Sequence, residues 1–184
     1  MYQKHFIGNF PFFSLGKYIM REINDVQDAP AYFRYMKEDK VANYIDDYII
    51  PLSLENSVMQ LKYFQNLFLS RSAFYWAIAE KNSNLLIGTI GFNFIQWDHK
   101  RTEISFDLDS KYFKQGIMSM CLKNLIEFAK KLNLVRIQAN TIYSNQAAIA
   151  ILQKFGFKRE GILKKYHIIR KSYVDSLIYA LISE

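Results

Sequence analysis

At 184 residues, with 51% hydrophobic and 22% charged content, the chain has the size and composition of one soluble globular domain with a sizeable core. Its single cysteine, Cys121, excludes an intrachain disulfide and a cysteine-rich zinc site. The net charge of +7 admits anionic partners, although the basic residues from Lys154 to Lys171 also read as a solvated face, and no RNA-binding signature accompanies them.

The N-terminus lacks the clean apolar core and small-residue cleavage site of a signal peptide. No apolar run is long enough to cross a bilayer, so a cytoplasmic protein without a membrane partner is expected. Residues 1–16 read as an extension ahead of a single domain filling the 184-residue chain. Residues 17–23 (KYIMREI) alternate like a first strand. Asp28 is placed to cap a helix with Pro30 at its second position, where the missing N–H costs little. Residues 41–49 are ambiguous between helix and loop. Ser53 with Asn56 opens a second helix carrying Val58, Leu61, Phe64, Leu67 and Phe68.

Three strands follow. The first is Phe74 to Glu80, and a polar turn leads into Leu85 to Ile95, with Gly88 and Gly91 inside it. Residues 97–100 turn into the third, Glu103 to Leu108. Beyond Asp109-Ser110-Lys111 the period becomes helical, with Leu122, Leu125, Ile126, Ala129 and Leu132 on one face. Cys121 sits on this helix among Met118, Met120 and Leu122 and reads as a buried thiol. Val135 to Ala139 is a further strand. Ser144 caps a helix over 145–155 that Gly156 ends. Two strands, 157–169 and 173–181, close the chain. The order β, α, α, β-β-β-α-β-α-β-β describes one mixed, mostly antiparallel α+β sheet flanked by helices.

The junction at 102–132 carries the chemistry. A strand that ends at a loop and a helix N-terminus makes an anion site, because the first-turn amides have no intrahelical acceptor and the dipole is positive there. Gly116 lets a phosphate approach the backbone closely, and Lys114 adds a charge beside it. This is neither a P-loop nor a dinucleotide fingerprint. Plain turn chemistry is the alternative.

Two segments together carry a resemblance. The run Tyr112-Phe113-Lys114-Gln115-Gly116-Ile117-Met118 is similar to the Tyr-Trp-Gly-Gln-Gly-Ile-Met loop of the GNAT superfamily of acetyl-CoA-dependent N-acyltransferases. The run Asn145, Ala148, Leu152, Lys154, Gly156, Phe157 resembles the Asn-x-x-Ser/Ala…Leu-x-Lys-x-Gly-Phe pattern of the branch that acetylates ribosomal-protein N-termini. The likeness spans about Lys17 to Leu181. It implies a V-shaped splay between central strands, with the amides of Gln115, Gly116, Ile117 and Met118, assisted by Lys114, holding a cofactor pyrophosphate. It implies that Leu108 and Asp109 pair through their backbone with the pantetheine arm of acetyl-CoA. Asn145 would bond the pantetheine or orient its helix.

The same resemblance makes Glu103 the base that deprotonates the acceptor amine, directly or through a water. The alternative is a strand-end carboxylate paired with Lys100 or Arg101. The family's tyrosine acid is replaced by Leu152, and a serine of the branch by Ala148. Tyr143 and Tyr166 are substitutes in principle, and the acid is left unassigned. Asp46, Asp47 and Glu55 would attract a cationic amine, or else are surface carboxylates. His5, His99 and His167 have no metal-ligand spacing, so no metal is expected.

The reading is an N-acetyltransferase of a protein N-terminal amine of the ribosomal-protein type, monomeric or homodimeric, with no direct nucleic-acid role. Acetylation of a small amine such as a polyamine or aminoglycoside, and acetyl-CoA binding without catalysis, are the alternatives.

Overall fold

The computed structural model describes residues 9–183; His5 and the first eight residues of the expected extension lie outside them. Eight strands form one sheet: β1 (Phe13–Leu15), β2 (Tyr18–Glu22), β3 (Phe74–Glu80), β4 (Leu86–Gln96), β5 (Arg101–Leu108), β6 (Arg136–Thr141), β7 (Lys158–Ile169) and β8 (Ser172–Ile182). Their spatial order is β1-β2-β3-β4-β5-β6-β8-β7. Every neighbouring pair is antiparallel except β5 and β6, which are parallel. Five helices complete the fold: α1 (Asp25–Met36), α2 (Asp39–Ala42), α3 (Leu54–Leu69), α4 (Ile117–Lys131) and α5 (Gln146–Lys154).

The sheet separates two apolar cores. Tyr32, Tyr35 and Met36 of α1 and Leu61 of α3 pack with Ile23, Ala77 and Leu86. Cys121, Leu122, Leu125, Phe128 and Ala129 of α4 pack against Trp76, Ile78, Ile90, Phe92 and Ile104. The strip of α4 residues expected to be apolar is therefore its buried face, as a helix lying on a sheet requires.

Local signals place the helix ends, with two corrections. Ser53 caps α3, its Oγ accepting from the Asn56 amide at 3.1 Å. For α1 the cap is Asn24, whose Oδ1 accepts from Gln27 N–H at 2.9 Å, and not Asp28. Asp28 lies inside the helix, buried, because Arg21 on β2 donates to both its carboxylate oxygens at 2.8 and 2.7 Å. A bidentate pair outcompetes the exposed capping role. For α5 the cap is Asn145 rather than Ser144. Within residues 1–16, Phe13–Leu15 form the edge strand β1 against β2.

The feature that positions the site is a fork. The β5–β6 register runs only from Arg101 opposite Arg136 to Ile104 opposite Ala139. Beyond it β5 continues to Leu108 and β6 to Thr141 with no cross-strand pairing between them. The sheet splays open there.

Candidate active site

On β5 the side chains alternate. Ile104, Phe106 and Leu108 join the core beneath α4, so Glu103, Ser105 and Asp107 face the α1–α3 side. The backbone alternates too. Asp109 N–H donates to Ile87 O at 2.7 Å, on the β4 side, so the ladder turns the N–H and C=O of Phe106 and Leu108 toward the open fork. This corrects the expectation for Asp109. Its carbonyl accepts from Tyr112 N–H at 2.9 Å, so both its backbone groups are occupied. Its buried carboxylate pairs with Arg34 and accepts from Lys111 N–H at 3.0 Å. Asp109 caps the 3₁₀ turn at Ser110–Tyr112; Leu108 keeps the exposed edge, and Phe106 joins it.

The glycine loop follows. Lys114 and Gly116 take positive φ values of 61° and 76°. Gly116 is the N-cap of α4 and no side chain caps it. The first intrahelical bond is Met120 N–H to Gly116 O at 3.2 Å, which leaves the amides of Ile117, Met118 and Ser119 without a backbone acceptor. A Cβ built at Gly116 would meet nothing within 4 Å, so the space before these amides is open. The Gln115 side chain is tied down, accepting from Tyr18 OH and donating to Lys111 O, each at 3.1 Å. It offers the site its backbone amide. Lys114 is exposed alongside; Ile117 is buried and Met118 packs against the core.

A cleft of about 730 Å³ runs through the fork. Its lining includes Ile104 to Asp107 of β5, Ala139 to Thr141 of β6, and Asn145, Ala148 and Leu152 at α5. On the other side it reaches Tyr44, Tyr48, Tyr63, Phe94 and Tyr166. Asn145 Oδ1 accepts from Ala148 N–H at 3.1 Å, so this residue orients α5 while lining the cleft. Leu152 and Ala148 also line it and carry no dissociable proton. Of the two substitute acids, Tyr166 lines the cleft and Tyr143 does not.

Glu103 lies inside this cleft. Its Oε1 accepts from Asn93 Nδ2 at 3.0 Å, and its Oε2 accepts from Gln138 Nε2 at 3.1 Å and Asn140 Nδ2 at 3.0 Å. Arg101 donates instead to Gln96, so the expected arginine pair is not formed. Asn93 sits where β4 bulges between Phe92 and Phe94, and its Oδ1 accepts from Tyr75 OH at 2.9 Å and Ser105 Oγ at 2.6 Å. The three neutral donors occupy three of roughly four lone-pair sites on a carboxylate. One remains for a water or an amine.

Asp107 lies deeper. Its oxygens accept from Tyr35 OH at 2.6 Å, Thr89 Oγ1 at 2.6 Å and Thr89 N–H at 3.0 Å. Burial pushes its carboxyl above the usual range, and the Thr89 and Tyr35 bonds offset part of that. Burial, then the charge of Asp107, also raises the Tyr35 hydroxyl well above its ordinary value, so that hydroxyl stays a donor.

Asp46 and Asp47 are not free to attract an amine. Asp46 accepts from Ile168 N–H at 3.0 Å and contacts His167 Nδ1 at 2.7 Å. Asp47 accepts from Arg170 and Lys171 N–H, each at 2.8 Å. Together they strap the segment between α2 and α3 onto the β7–β8 hairpin. Glu55 sits in the first turn of α3, outside the cleft lining. Trp76 is fully buried and Trp97 donates to Arg71 O, both packing roles. Among the described residues no group of three or more His, Cys, Asp or Glu side chains could hold a metal ion. The residues missed by sequence reasoning are Asn93, Gln138, Asn140 and Phe106. The polar alternation of Gln138 and Asn140 in an otherwise apolar strand was the available signal.

Comparison with known proteins decides the family. Residues 17–158 match the acetyltransferase (GNAT) domain. The chain belongs to the GNAT acetyltransferase family. Its enzymatic class is accordingly an acyltransferase, an N-acetyltransferase of GNAT type. The chain is 29% identical to the uncharacterized N-acetyltransferase YoaA of Bacillus subtilis (strain 168) over 174 residues, which is 94% of this chain and 97% of that protein. It is 35% identical to the ribosomal-protein-serine acetyltransferase of Escherichia coli (strain K12) over 98 residues, 53% of this chain and 55% of that one. The crystal structure of the ribosomal-protein-S5-alanine acetyltransferase of Vibrio fischeri superposes with a TM-score of 0.82 at 26% identity, covering 95% of this chain and 97% of that one. The splayed, mostly antiparallel sheet is thus the GNAT fold.

Proposed function

We propose that this GNAT enzyme transfers the acetyl group of acetyl-CoA to the N-terminal amine of a protein, with Glu103 as the base. One observation carries the reading: a single cleft joins the open edge of β5 at the fork to the Glu103 carboxylate, and β5 leads through the glycine loop to the uncapped N-terminus of α4. The ribosomal-protein acetyltransferases among its relatives support the acceptor class, and a cytoplasmic location accords with it. Acetyl-CoA supplies an activated thioester.

The amides of Gln115 to Met118 and the helix dipole hold the pyrophosphate, with Lys114 adding charge. The backbone of Leu108 and Phe106 pairs with the amide-bearing pantetheine arm as an added strand would. Asn145 holds α5 against that arm. The acceptor amine enters from the aromatic side. Its proton passes to Glu103, directly or through a water, and the freed lone pair attacks the thioester carbonyl. Backbone N–H groups at the fork would stabilise the oxyanion. The C–S bond then breaks and the sulfur leaves as thiolate, whose intrinsically low basicity needs no protein acid; the second nitrogen proton, lost as the amide forms, passes to that thiolate, and Leu152 and Ala148 supply none. Thiol release from acetyl-CoA with an Ala- or Ser-starting peptide tests the reading. Release that Glu103→Gln abolishes supports it, and acetyl-CoA binding without release on any amine would defeat it.

A further inference from the structure

Two β-bulges supply polar side chains to the surroundings of Glu103, one directly and one from a distance. In β4 the extra residue is Asn93, which donates to Glu103 Oε1. In β7 the register shifts between Arg159 and Gly161, so Glu160 is the extra residue. β7 is an edge strand, separated from β6 by β8. The Glu160 carboxylate nevertheless reaches Arg136 of β6, where Nη1 donates to Oε1 at 3.0 Å and Nη2 to Oε2 at 2.5 Å. The pair passes over β8 at Ala180, which is in register with Gln138, shares its side of the sheet and is buried. Bulges beside functional groups re-aim side chains in this way.

Arg136 Nη2 also donates to Gln138 Oε1 at 3.4 Å. From there the donors continue inward. Gln138 Nε2 donates to Glu103 Oε2 at 3.1 Å and to Asn140 Oδ1 at 3.5 Å, and Asn140 Nδ2 donates to Glu103 Oε2 at 3.0 Å. Every bond runs one way, from the arginine toward the carboxylate. Direction matters because a carboxamide has a donor end and an acceptor end and can turn over. The Asn93 oxygen is held by the Tyr75 and Ser105 hydroxyls, which can reverse their roles. A guanidinium has no acceptor and cannot. With Arg136 at its oxygen, Gln138 keeps its NH2 on Glu103 and Asn140, and Asn140 keeps its own NH2 on Glu103. Once Glu103 has taken the proton of the amine, neither amide beside Oε2 offers that proton an acceptor, so it is free to pass on.

We propose that Arg136 is a positioning residue for acetyl transfer: through Gln138 it fixes the donor ends of both amides on Glu103, and Glu160 holds the arginine in place. This rests on the reading of Glu103 as the base. Stability is a poor account of the pair, because the Arg136 and Glu160 side chains are 27% and 42% exposed and ion pairs open to water contribute little.

The test measures kcat of the full chain for transfer from saturating acetyl-CoA to an Ala-starting peptide, with thermal denaturation and acetyl-CoA affinity alongside. Arg136→Leu is expected to lower kcat about tenfold, a coupling of ordinary size for residues in one network, with melting temperature and acetyl-CoA affinity close to wild type. Arg136→Lys, again a donor with no acceptor, is expected to stay within about threefold of wild type. Gln138→Leu lowers kcat by itself, and adding Arg136→Leu to it is expected to cost nothing further, because the arginine acts through that amide. A pair that served stability alone would move the melting temperature, and its effect would not depend on Gln138. Arg136→Leu with kcat within about twofold of wild type, or single losses that multiply in the double variant, would overturn the inference. If Arg136→Leu does not fold, Glu160→Gln, which removes the charge that anchors the arginine, is expected to lower kcat about threefold, and no loss there would overturn it equally. Glu103→Gln with wild-type kcat would overturn the base reading and this inference together, whereas an inactive Glu103→Gln beside a fully active Arg136→Leu would overturn the inference alone.

Discussion

Replacing Glu103 with glutamine separates a chemical role from a structural one, because the site can absorb the change. The glutamine oxygen takes the place of Oε2 and keeps the bonds from Gln138 and Asn140. Its NH2 then faces Asn93 Nδ2, two donors together. Asn93 can turn over to relieve this. Its Oδ1 would accept from the new amide, while its NH2 would donate to the Tyr75 and Ser105 hydroxyls, which can accept as readily as donate. No hydrogen bond need be lost, so the stability change should stay within about 1 kcal/mol. The rate has no such escape, since a primary amide cannot accept the proton. Loss of a positioned base costs roughly 10²–10⁴ in rate, or about 3–5 kcal/mol of barrier. The assay is thiol release under saturating acetyl-CoA, with thermal denaturation as the control. The residual rate should keep climbing with pH toward the ordinary terminal-amine value of about 8. A folded variant within fivefold of wild-type kcat would refute the assignment.

Other outcomes follow from the same geometry. Asn93→Asp replaces a donor to Glu103 with a like charge, so the rate of acetyl transfer should fall while acetyl-CoA affinity, measured by calorimetry, holds. Gly116→Glu puts a side chain on a positive φ and an anion before the uncapped amides, and acetyl-CoA affinity measured by calorimetry should fall by about a hundredfold or more. Burial holds the folded Asp107 carboxyl above its unfolded value, so the native state keeps that proton to higher pH. Its contribution to stability therefore declines as pH rises from about 4 through the raised value. Denaturant titrations should show Asp107→Asn losing less stability than wild type over that window. Burial also drives the Cys121 thiol up to about 12, so alkylating reagents should label it only after unfolding.

Much of the fold could be read directly from periodicity. The strand at residues 74–80, the apolar stripe of α4 and the Ser53 cap each follow from residues close in the chain, and the structure keeps them. Errors arose where two groups competed for one partner or the partner lay on another element. Asp28 has a capping residue type in a plausible place, yet Arg21 on the neighbouring strand claims its carboxylate, and Asn24 caps instead. Ser144 has a capping residue type, yet it is the Oδ1 of the next residue, Asn145, that reaches the Ala148 amide. Asp46 looked like a free surface carboxylate because His167 is 121 residues distant in sequence. The three-residue β1 is too short for its pattern to be seen.

The site shows the same division. The glycine loop could be read as a candidate because family resemblance and local chemistry point to the same residues, and Glu103 because the resemblance does. The backbone that flanks the fork was not, since parity along β5 depends on its pairing with β4. That pairing turns Asp109 inward and hands the open edge to Phe106 and Leu108. The Asn93 amide belongs to a β-bulge, which no periodicity announces.

The most direct test of the central claim is transfer of radiolabelled acetyl from acetyl-CoA to an Ala-starting peptide, with the labelled position mapped by fragmentation. Label on the terminal amine, lost in Glu103→Gln while acetyl-CoA still binds, is the predicted result. Label on internal lysines, or full transfer by the glutamine variant, would contradict the account.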